Sequence, residues 1–264
     1  MKFSLQNKWV LITGASSGFG AAAATAFAAE GAKLLLGARR IERLKQVSTA
    51  AKKAGAAEVH FHKLDVSQTA SVEKFFGWAK KIMGHGSPAG HLYVLINNAG
   101  GALGVDTVAE GKDADWETML QTNVLGVLRV TRAALPLIPR DDGASIVNIG
   151  SLAARAAYAG ASAYCAAKAG ELQITRVLRH ELFGAGIRVS TVDPGLAETE
   201  FSLVRFKGDT KKAKELYAGT NPLVAADIAE ILVWVASRPP HVNIDEMLVK
   251  PVDQADVGKV FRRK

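Results

Sequence analysis

The sequence predicts an α/β fold, a single doubly wound Rossmann-type domain with a seven-stranded parallel sheet flanked by helices on both faces. Two observations predict it. Short apolar runs alternate with helical stretches from one end of the 264 residues to the other, which is the order that right-handed βαβ crossovers produce. Most of these runs are apolar at nearly every position, as expected for strands that helices cover on both faces.

Each strand is predicted from one short run of residues, and most of the runs are apolar and several are rich in Val and Ile. The runs are Val10–Thr13, Leu34–Gly37, Glu58–His62, Tyr93–Ile96, Ser145–Ile149, Arg188–Val192 and Met247–Val249. Between them the pattern predicts helices at about residues 19–30, 41–54, 69–83, 113–137, 162–184 and 225–236, with a shorter helix near residues 208–217.

The chain shows no point of division into separate domains. Residues 84–91 (GHGSPAGH) predict a flexible loop leading into a strand, and no repeat, low-complexity tract or Pro/Ser-rich linker interrupts the sequence. We therefore expect one domain over residues 1–264. We divide it for description into a first half, which extends to about residue 150, and a second half, which begins at about residue 151.

The charge balance is basic, with 33 Lys and Arg against 25 Asp and Glu and a formal net charge of +8. Such a chain can bind nucleic acid, an acidic membrane surface or small anions. The charges are scattered apart from residues 207–214 and 262–264, and no basic helix is interleaved with aromatic residues, which argues against a nucleic-acid partner. An anionic cofactor and a small anionic substrate fit this composition better.

The cysteine count and the hydropathy pattern limit the cellular compartment in which the protein is expected. The single cysteine, Cys165, excludes an intrachain disulfide. No apolar run approaches the ~20 residues that span a bilayer. Residues 1–8 precede only a short apolar run, so we expect no signal peptide and no membrane partner. The six histidines show no metal-ligand spacing. A cytoplasmic protein without a metal site is the expectation.

A glycine-rich segment follows the first predicted strand and opens the first predicted helix. Glycines there permit a tight turn and close approach of the backbone to a ligand, and the helix N-terminus offers N–H groups to a pyrophosphate. A purely structural turn is the alternative interpretation. The segment predicts nucleotide binding by Gly14, Ser16, Ser17, Gly18, Phe19 and Gly20.

The end of the second predicted strand distinguishes the two nicotinamide dinucleotides. A protein that binds NAD usually carries Asp or Glu there to hold the ribose hydroxyls, whereas this chain has Arg39 and Arg40. Guanidinium groups form charge-assisted, bidentate bonds to a 2′-phosphate. A solvated basic pair at the start of the next helix is the alternative. The glycine-rich segment before the pair favours phosphate recognition, and we predict NADP as the cofactor.

Three polar residues of the second half predict acid–base chemistry. Tyr164 and Lys168 are four residues apart and share one face of a predicted helix. A free tyrosine is a poor base at neutral pH, and a nearby ammonium favours the phenolate form. Ser151, just after the fifth predicted strand, can stabilise charge on a substrate oxygen. A surface Tyr–Lys pair and a turn-capping serine are the alternatives.

These residues resemble the motifs of the short-chain dehydrogenase/reductase superfamily, over nearly the whole chain from Val10 to about Val252. The matching elements are Thr13–Gly20, Asp65–Val66, Asn97–Gly100, Asn123, Ser151, Tyr164–Lys168, Pro194–Gly195 and Thr199. The resemblance implies that Tyr164 is the acid/base and that Lys168 activates it and binds the nicotinamide ribose. It also implies that Ser151 positions the substrate oxygen. The first half of the domain, to about residue 150, is then the dinucleotide-binding half, and the second half, from about residue 151, is the catalytic and substrate half.

Asn123 matches the residue that holds a water molecule in this superfamily's proton relay. Asparagine is a mediocre residue for a helix interior, so a kink or a water site is expected there.

By the same resemblance, further residues contact the cofactor at its adenine, its ribose, or its nicotinamide amide and diphosphate. They are Asp65 and Val66 for the adenine, Asn98, Ala99 and Gly100 for the ribose, and Pro194, Gly195 and Thr199 for the amide and diphosphate. For Asn97 the alternative is to brace neighbouring strands. A homotetramer paired through the helices at residues 113–137 and 162–184 is implied, although some members of the superfamily are dimers.

The segment Glu198–Asp209 lies where the superfamily places a variable lid over the substrate. This segment, with Gly101–Gly104 and Arg238–Ile244, resembles the NADP-dependent 3-hydroxy acid dehydrogenases, which oxidise serine, L-allo-threonine and related acids. A carboxylate substrate needs a cation nearby, and Arg205 or Lys207 could supply it from the lid. The alternative is that both charges face solvent or a neighbouring subunit.

Two other functions compete with this one. The first is a carbonyl reductase of the same superfamily that acts on a 3-oxoacyl thioester, a diketone or another ketone. The second, from a different class, is a non-catalytic sensor that binds NADP. A sensor would be expected to lose Tyr164 or Lys168, and both are present.

Overall fold

A parallel sheet of seven strands forms the centre of the protein. The structure, a computed structural model, describes residues 3–84, 90–140 and 143–263, so most of the loop predicted at residues 84–91 lies outside the described residues. In chain order the strands are Trp9–Thr13 (β1), Lys33–Ala38 (β2), Glu58–Lys63 (β3), Leu92–Asn97 (β4), Ser145–Ile149 (β5), Arg188–Pro194 (β6) and Glu246–Val249 (β7).

The strand order across the sheet is β3-β2-β1-β4-β5-β6-β7, and every neighbouring pair is parallel. Each predicted strand lies within an observed one, so the predicted α/β class with its seven-stranded parallel sheet is confirmed. Every residue of β1 and of β4 is buried, which explains why those runs are apolar at nearly every position.

Helices cover both faces of the sheet. They are Gly18–Ala29 (α1), Ile41–Lys53 (α2), Thr69–Met83 (α3), Asp113–Leu120 (α4), Gly126–Ala134 (α5), Ser162–Glu181 (α6), Glu200–Arg205 (α7), Thr210–Glu215 (α8) and Ala225–Ala236 (α9). Successive strand residues point to opposite faces. Val10 and Ile12 accordingly pack with α1 and α9, whereas Leu11 packs with α3 and α5.

The helix predicted over residues 113–137 is not continuous. A π-helical turn at Gln121–Leu125 separates α4 from α5, and a 3₁₀ turn at Leu135–Leu137 follows. Asn123 donates from Nδ2 to the carbonyl of Met119 at 2.8 Å. A side chain thus competes for the acceptor of the ordinary helical hydrogen bond, and the π turn is the local distortion that results.

Two other helix predictions were wrong at their ends. The helix predicted over residues 162–184 ends at Glu181, before glycines in the left-handed conformation. The short helix predicted near residues 208–217 occupies only α8. α7 was not predicted, because six residues carry less than two turns of periodicity. Thr199 begins α7 by accepting a hydrogen bond from the backbone N–H two residues later, at 3.2 Å.

The loops that carry the predicted site residues follow the carboxyl ends of the strands. Strand order reverses between β1 and β4, so the chain leaves these neighbours in opposite directions and opens a crevice, the usual ligand site of doubly wound sheets. Within the described ranges, no helix combines the length and apolar character that crossing a membrane requires.

Candidate active site

The glycine-rich loop between β1 and α1 passes closer to the loop after β4 than a side chain would allow. A Cβ atom at Gly14 would lie 2.9 Å from the Cα of Ala99, and one at Gly20 would lie 2.5 Å from Nδ2 of Asn98. Asn98 fastens this contact by donating from Nδ2 to the carbonyls of Thr13 and Gly14, at 2.8 and 3.2 Å. The backbone at the start of α1 is thereby held at the edge of the crevice.

A cavity of about 320 Å³ runs along the crevice. Gly20 lies behind the loop, and Pro194 and Gly195 line an adjoining cavity instead. The other residues predicted to bind a cofactor line the crevice cavity, namely Gly14, Ser16, Ser17, Gly18, Phe19, Arg39, Arg40, Asp65, Val66, Asn98, Ala99, Gly100, Tyr164, Lys168 and Thr199.

Arg40 lies at the end of this cavity beside the start of α1. Its Nη2 donates to Ser17 Oγ at 2.6 Å, and its Nε donates to Ser16 Oγ at 3.3 Å. The same Nη2 donates to a carboxylate oxygen of Glu200 at 2.7 Å. This hydrogen bond lowers the pKa of Glu200. Sequence reasoning missed Glu200, which brings a negative charge into the region predicted to receive a phosphate. Arg39 lines the same cavity and is exposed.

Lys168 lies on the buried side of α6, one turn after Tyr164. Its ammonium donates to the carbonyl of Ile149 at 2.7 Å and to Oε2 of Glu171 at 2.6 Å. Burial disfavours the charged form, but the negative charges of Glu171 and Tyr164 outweigh burial and raise the pKa of Lys168. The ammonium is therefore held in a fixed position at the wall of the cavity.

Glu171 is a second residue that sequence reasoning missed. Only 1% of it is exposed, and burial raises its pKa to about 7 despite the neighbouring ammonium. Its Oε1 atom is buried without a hydrogen-bond partner among the described residues. A position three residues after Lys168 on a helix is a local signal for contact, but the burial of the pair is visible only in the structure.

Asn123, in the π turn, holds the loop after β4 by two hydrogen bonds. Its Oδ1 accepts from the backbone N–H of Gly101 at 3.1 Å, and its Nδ2 donates to the Gly101 carbonyl at 2.9 Å. The side chain thus fastens the loop after β4 to the helical layer. Its neighbour Thr122, rather than Asn123 itself, lines the cavity.

Ser151 and Tyr164 both line the adjoining cavity, which has a volume of about 190 Å³. Ser151 lies directly after β5, and its Oγ accepts from the N–H of Ala153 at 3.1 Å, so it also caps a 3₁₀ turn. A cavity of about 150 Å³ holds benzene. The space therefore suits a substrate of small size. Tyr164 lines both cavities and marks their junction.

Arg205 is a buried cation in the wall of this smaller cavity, with 9% of its surface exposed. It donates from Nη1 to the hydroxyl of Tyr158 at 2.9 Å, and its guanidinium carbon lies 5.9 Å from the ring centre of Tyr164. No carboxylate of the described residues forms an ion pair with it. Lys207, the alternative cation, is paired with Asp115 at 2.6 Å and lines neither cavity.

Ionic and polar networks behind the site hold its strands and turns together, and the sequence did not predict the ionic one. Arg155, beyond the Ser151 turn, donates to the fully buried carboxylate of Asp193 at 2.5 and 2.9 Å and to Glu246 at 2.7 Å. Asn97 donates to Asn148 at 2.8 Å, so it braces strands β4 and β5, the alternative considered for it. Among the described residues, no cluster of three His, Cys, Asp or Glu side chains could hold a metal ion.

Comparisons with known proteins place this geometry among oxidoreductases. A family model described as short chain dehydrogenase matches residues 8–209. The chain is 44% identical to a sulfoacetaldehyde reductase of Chromohalobacter salexigens over 93% of this chain and 94% of that protein. It is 40% identical to an NADP-dependent 3-hydroxy acid dehydrogenase of Schizosaccharomyces pombe over 98% of each.

Among solved structures, the chain is similar to the closed form of a serine dehydrogenase complexed with NADP⁺. The TM-score is 0.85 and the sequence identity is 37%, over 97% of this chain and 100% of the other.

Proposed function

The chain belongs to the short chain dehydrogenase family, and from this we propose that it transfers a hydride reversibly between NADP and the carbinol carbon of a small 3-hydroxy acid or β-hydroxy amino acid. The protein is an oxidoreductase of this family. What we propose beyond that is the substrate class, the catalytic roles of individual residues and the state of assembly.

The hydrogen-bond donors that line the crevice fit NADP. The close approach of the glycine-rich loop, which a Cβ at Gly14 or Gly20 would prevent, suits a pyrophosphate at the start of α1. Arg40 and the hydroxyls of Ser16 and Ser17 form a cluster of donors suited to a 2′-phosphate. The relatives named as NADP-dependent, or solved with NADP⁺, support the same cofactor. When bound, NADP supplies the hydride acceptor or donor.

The residues of the chain supply the proton chemistry and orient the substrate. We assign Tyr164 as the acid/base, because it lies at the junction of the two cavities. Lys168 holds a positive charge one helical turn away and favours the phenolate. Ser151 donates a hydrogen bond to the substrate oxygen, where negative charge grows during the reaction. Asn123 holds the loop that contacts the cofactor ribose and is assigned to the proton relay.

The observation that carries the substrate proposal is the unpaired charge of Arg205. A buried cation is normally paired, because burial without a partner is costly. Among the described residues Arg205 has no carboxylate partner, and it lines the same small cavity as Ser151 and Tyr164. The carboxylate of a short hydroxy acid would complete its coordination and direct the carbinol carbon toward Tyr164.

A sulfonated aldehyde is the second candidate substrate, favoured by the 44% identity with a sulfoacetaldehyde reductase. A sulfonate and a carboxylate are both compact anions that a guanidinium can bind. A reductase of uncharged ketones is the third candidate, and it would leave Arg205 without a partner.

The test is a turnover assay that follows the nicotinamide absorbance with NADP and NAD separately. Serine, L-allo-threonine, 3-hydroxybutyrate and 3-hydroxypropanoate are offered for oxidation, and sulfoacetaldehyde and simple ketones for reduction. We expect turnover of at least one hydroxy acid with NADP and its loss in Tyr164→Phe. Turnover confined to uncharged ketones would refute the substrate proposal, and activity confined to NAD would refute the cofactor assignment.

Arg205→Met isolates the anion-binding step, with Lys207→Met as the matched control on the same segment. Loss of a charge-assisted hydrogen bond costs about 1.5–3 kcal/mol, so we expect kcat/KM for the hydroxy acid to fall by about 10- to 150-fold. Reduction of an uncharged ketone should change little in either variant. An unchanged KM and kcat for the acid in Arg205→Met would remove Arg205 from the role.

We also propose a homotetramer paired through α4, α5 and α6. These helices, the π turn between α4 and α5 and the segment after α6 carry large apolar side chains that are exposed in the single chain, namely Leu120, Leu125, Leu128, Val177 and Phe183. Exposed apolar side chains become buried when such helices pair between subunits. Light scattering coupled to size-exclusion chromatography would measure the mass, and a monomer would refute the proposal.

A further inference from the structure

Glu171 is a buried carboxylate that the proposed chemistry does not use. It lies on α6 with 2% of its side chain exposed, and its Oε2 is 2.6 Å from the ammonium of Lys168, which is 7% exposed. An ion pair this deeply buried contributes little net stability, because the loss of hydration offsets the attraction. Two apolar side chains in place of the pair would serve folding at least as well. The pair therefore points to a role in the site.

The surroundings of the pair leave the Lys168 charge dependent on this carboxylate. The charged or titratable groups whose fields reach the pair are Tyr164 on the same helix and Asp193 on β6. Asp193 is already paired with Arg155 at 2.5 Å. The remaining direct partner of the ammonium is the neutral carbonyl of Ile149. Without Glu171, burial would be opposed by one carbonyl and by weaker, more distant charges.

Glu171 also fixes the direction of the ammonium. An ammonium has three N–H donors, of which one is bound to the carbonyl of Ile149 and one to Glu171. The third remains for the cavity that Lys168 lines. The carboxylate thus sets both the charge and the orientation of the group that acts on Tyr164.

We propose that Glu171 is a positioning residue of the proposed dehydrogenase reaction, and that it keeps Lys168 protonated and directed toward the cavity in a site where burial alone would neutralise it. The inference rests on the proposed role of Lys168. It adds a residue whose effect has a distinct dependence on pH.

The pH signature follows from the charge of Glu171 itself. Burial raises the pKa of Glu171 to about 7, so its carboxylate is present above neutral pH and protonated below it. Glu171→Gln keeps a hydrogen-bond acceptor but has no charge, and it resembles the protonated form at every pH. In this variant burial lowers the pKa of Lys168, and the ammonium is lost as the pH rises. The variant and the parent protein should therefore agree below pH 7 and diverge above it.

The experiment compares kcat against pH, from 6 to 10, in the parent protein, Glu171→Gln and Glu171→Asp. Glu181→Gln is the control, because it removes an exposed carboxylate from the same helix. We expect Glu171→Gln to lose activity at least about tenfold at pH 9.5 and less than about threefold at pH 6.5. Glu171→Asp should recover part of the alkaline activity. Superimposable profiles for the parent and Glu171→Gln would overturn the proposal.

A spectroscopic titration keeps the inference testable without turnover. The ¹³Cε chemical shift of Lys168 is followed against pH in the folded protein by NMR, and the spectrum of Lys168→Met identifies its signal. We expect Lys168 to lose its proton at lower pH in Glu171→Gln than in the parent protein, because the carboxylate no longer opposes the effect of burial. An unchanged titration would overturn the proposal even if no tested acid is a substrate, so the two failures are distinguishable. Should Glu171→Gln fail to fold, Glu171→Asp, whose carboxylate is displaced, is titrated in its place. An unchanged titration in Glu171→Asp would then overturn the proposal.

Discussion

Glu200→Gln should strengthen NADPH binding. In the folded protein the carboxylate of Glu200 lies 2.7 Å from Nη2 of Arg40 and 3.4 Å from Nη2 of Arg43. Arg40 is one of the two residues, with Arg39, that are predicted to hold the 2′-phosphate, and both line the crevice cavity. A bound 2′-phosphate would bring up to two negative charges beside this carboxylate and compete with it for Arg40.

The size of the effect follows from the exposure of the pair. The side chains of Arg40 and Glu200 are 45% and 24% exposed, so the repulsion acts through a largely aqueous dielectric. Two like charges about 5 Å apart in water repel by about 0.8 kcal/mol. A phosphate with nearly two charges then gives about 1.5 kcal/mol, which corresponds to about a tenfold change in Kd. Removing the carboxylate should tighten NADPH binding by this factor, and less at high salt.

The assay is a fluorescence titration of the protein with NADPH and with NADH, at low and high ionic strength. NADH lacks the 2′-phosphate, so its Kd should not change in Glu200→Gln. Glu198→Gln, an exposed carboxylate two residues earlier, is the matched control and should affect neither ligand. Weaker NADPH binding by Glu200→Gln would refute the reasoning, because Glu200 would then serve to hold Arg40 in place for the phosphate.

Two further expectations concern folding. Gly20→Ala should lower the melting temperature and weaken NADPH binding, because its Cβ would lie 2.5 Å from Asn98 and 2.6 Å from a backbone oxygen. Gly77→Ala, in a helix and with nothing within 4 Å, should instead stabilise the protein by about 0.5–1 kcal/mol. Equal melting temperatures for the two variants would contradict this expectation. Hydrogen bonds from Arg176 and Arg155 hold the pKa of Glu246 at about 2, below its ordinary 4.5, so its stabilisation is complete above pH 4.5 and is lost as the pH falls toward 2. Since its side chain is 22% exposed, we expect it to contribute at most about 3 kcal/mol to the free energy of unfolding. Urea unfolding of Glu246→Gln at several pH values should lack this part of the acid dependence. A pH dependence identical to that of the parent protein would contradict the assignment.

Much of the fold was predictable because its signals are local. The seven strands follow from apolar runs that need no information beyond their own residues, and the glycine-rich loop follows from spacing within eight positions. The break between α4 and α5 was less predictable. A hydrogen bond from Asn123 to the carbonyl four residues earlier decides it, and an asparagine in a helical pattern signals an irregularity without specifying its form.

Local sequence was enough to predict the seven strands, the glycine-rich loop and the Tyr164–Lys168 pair, because each depends on neighbours in the chain. Whether Arg205 or Lys207 lines the smaller cavity depended on the three-dimensional packing, since both are cations on one short segment and differ in what surrounds them. The packing likewise decided the contact of Glu200 with Arg40, across 160 residues. Burial, and the pairing of charges that are far apart in sequence, depend on how the layers pack. A local sequence pattern does not encode that packing.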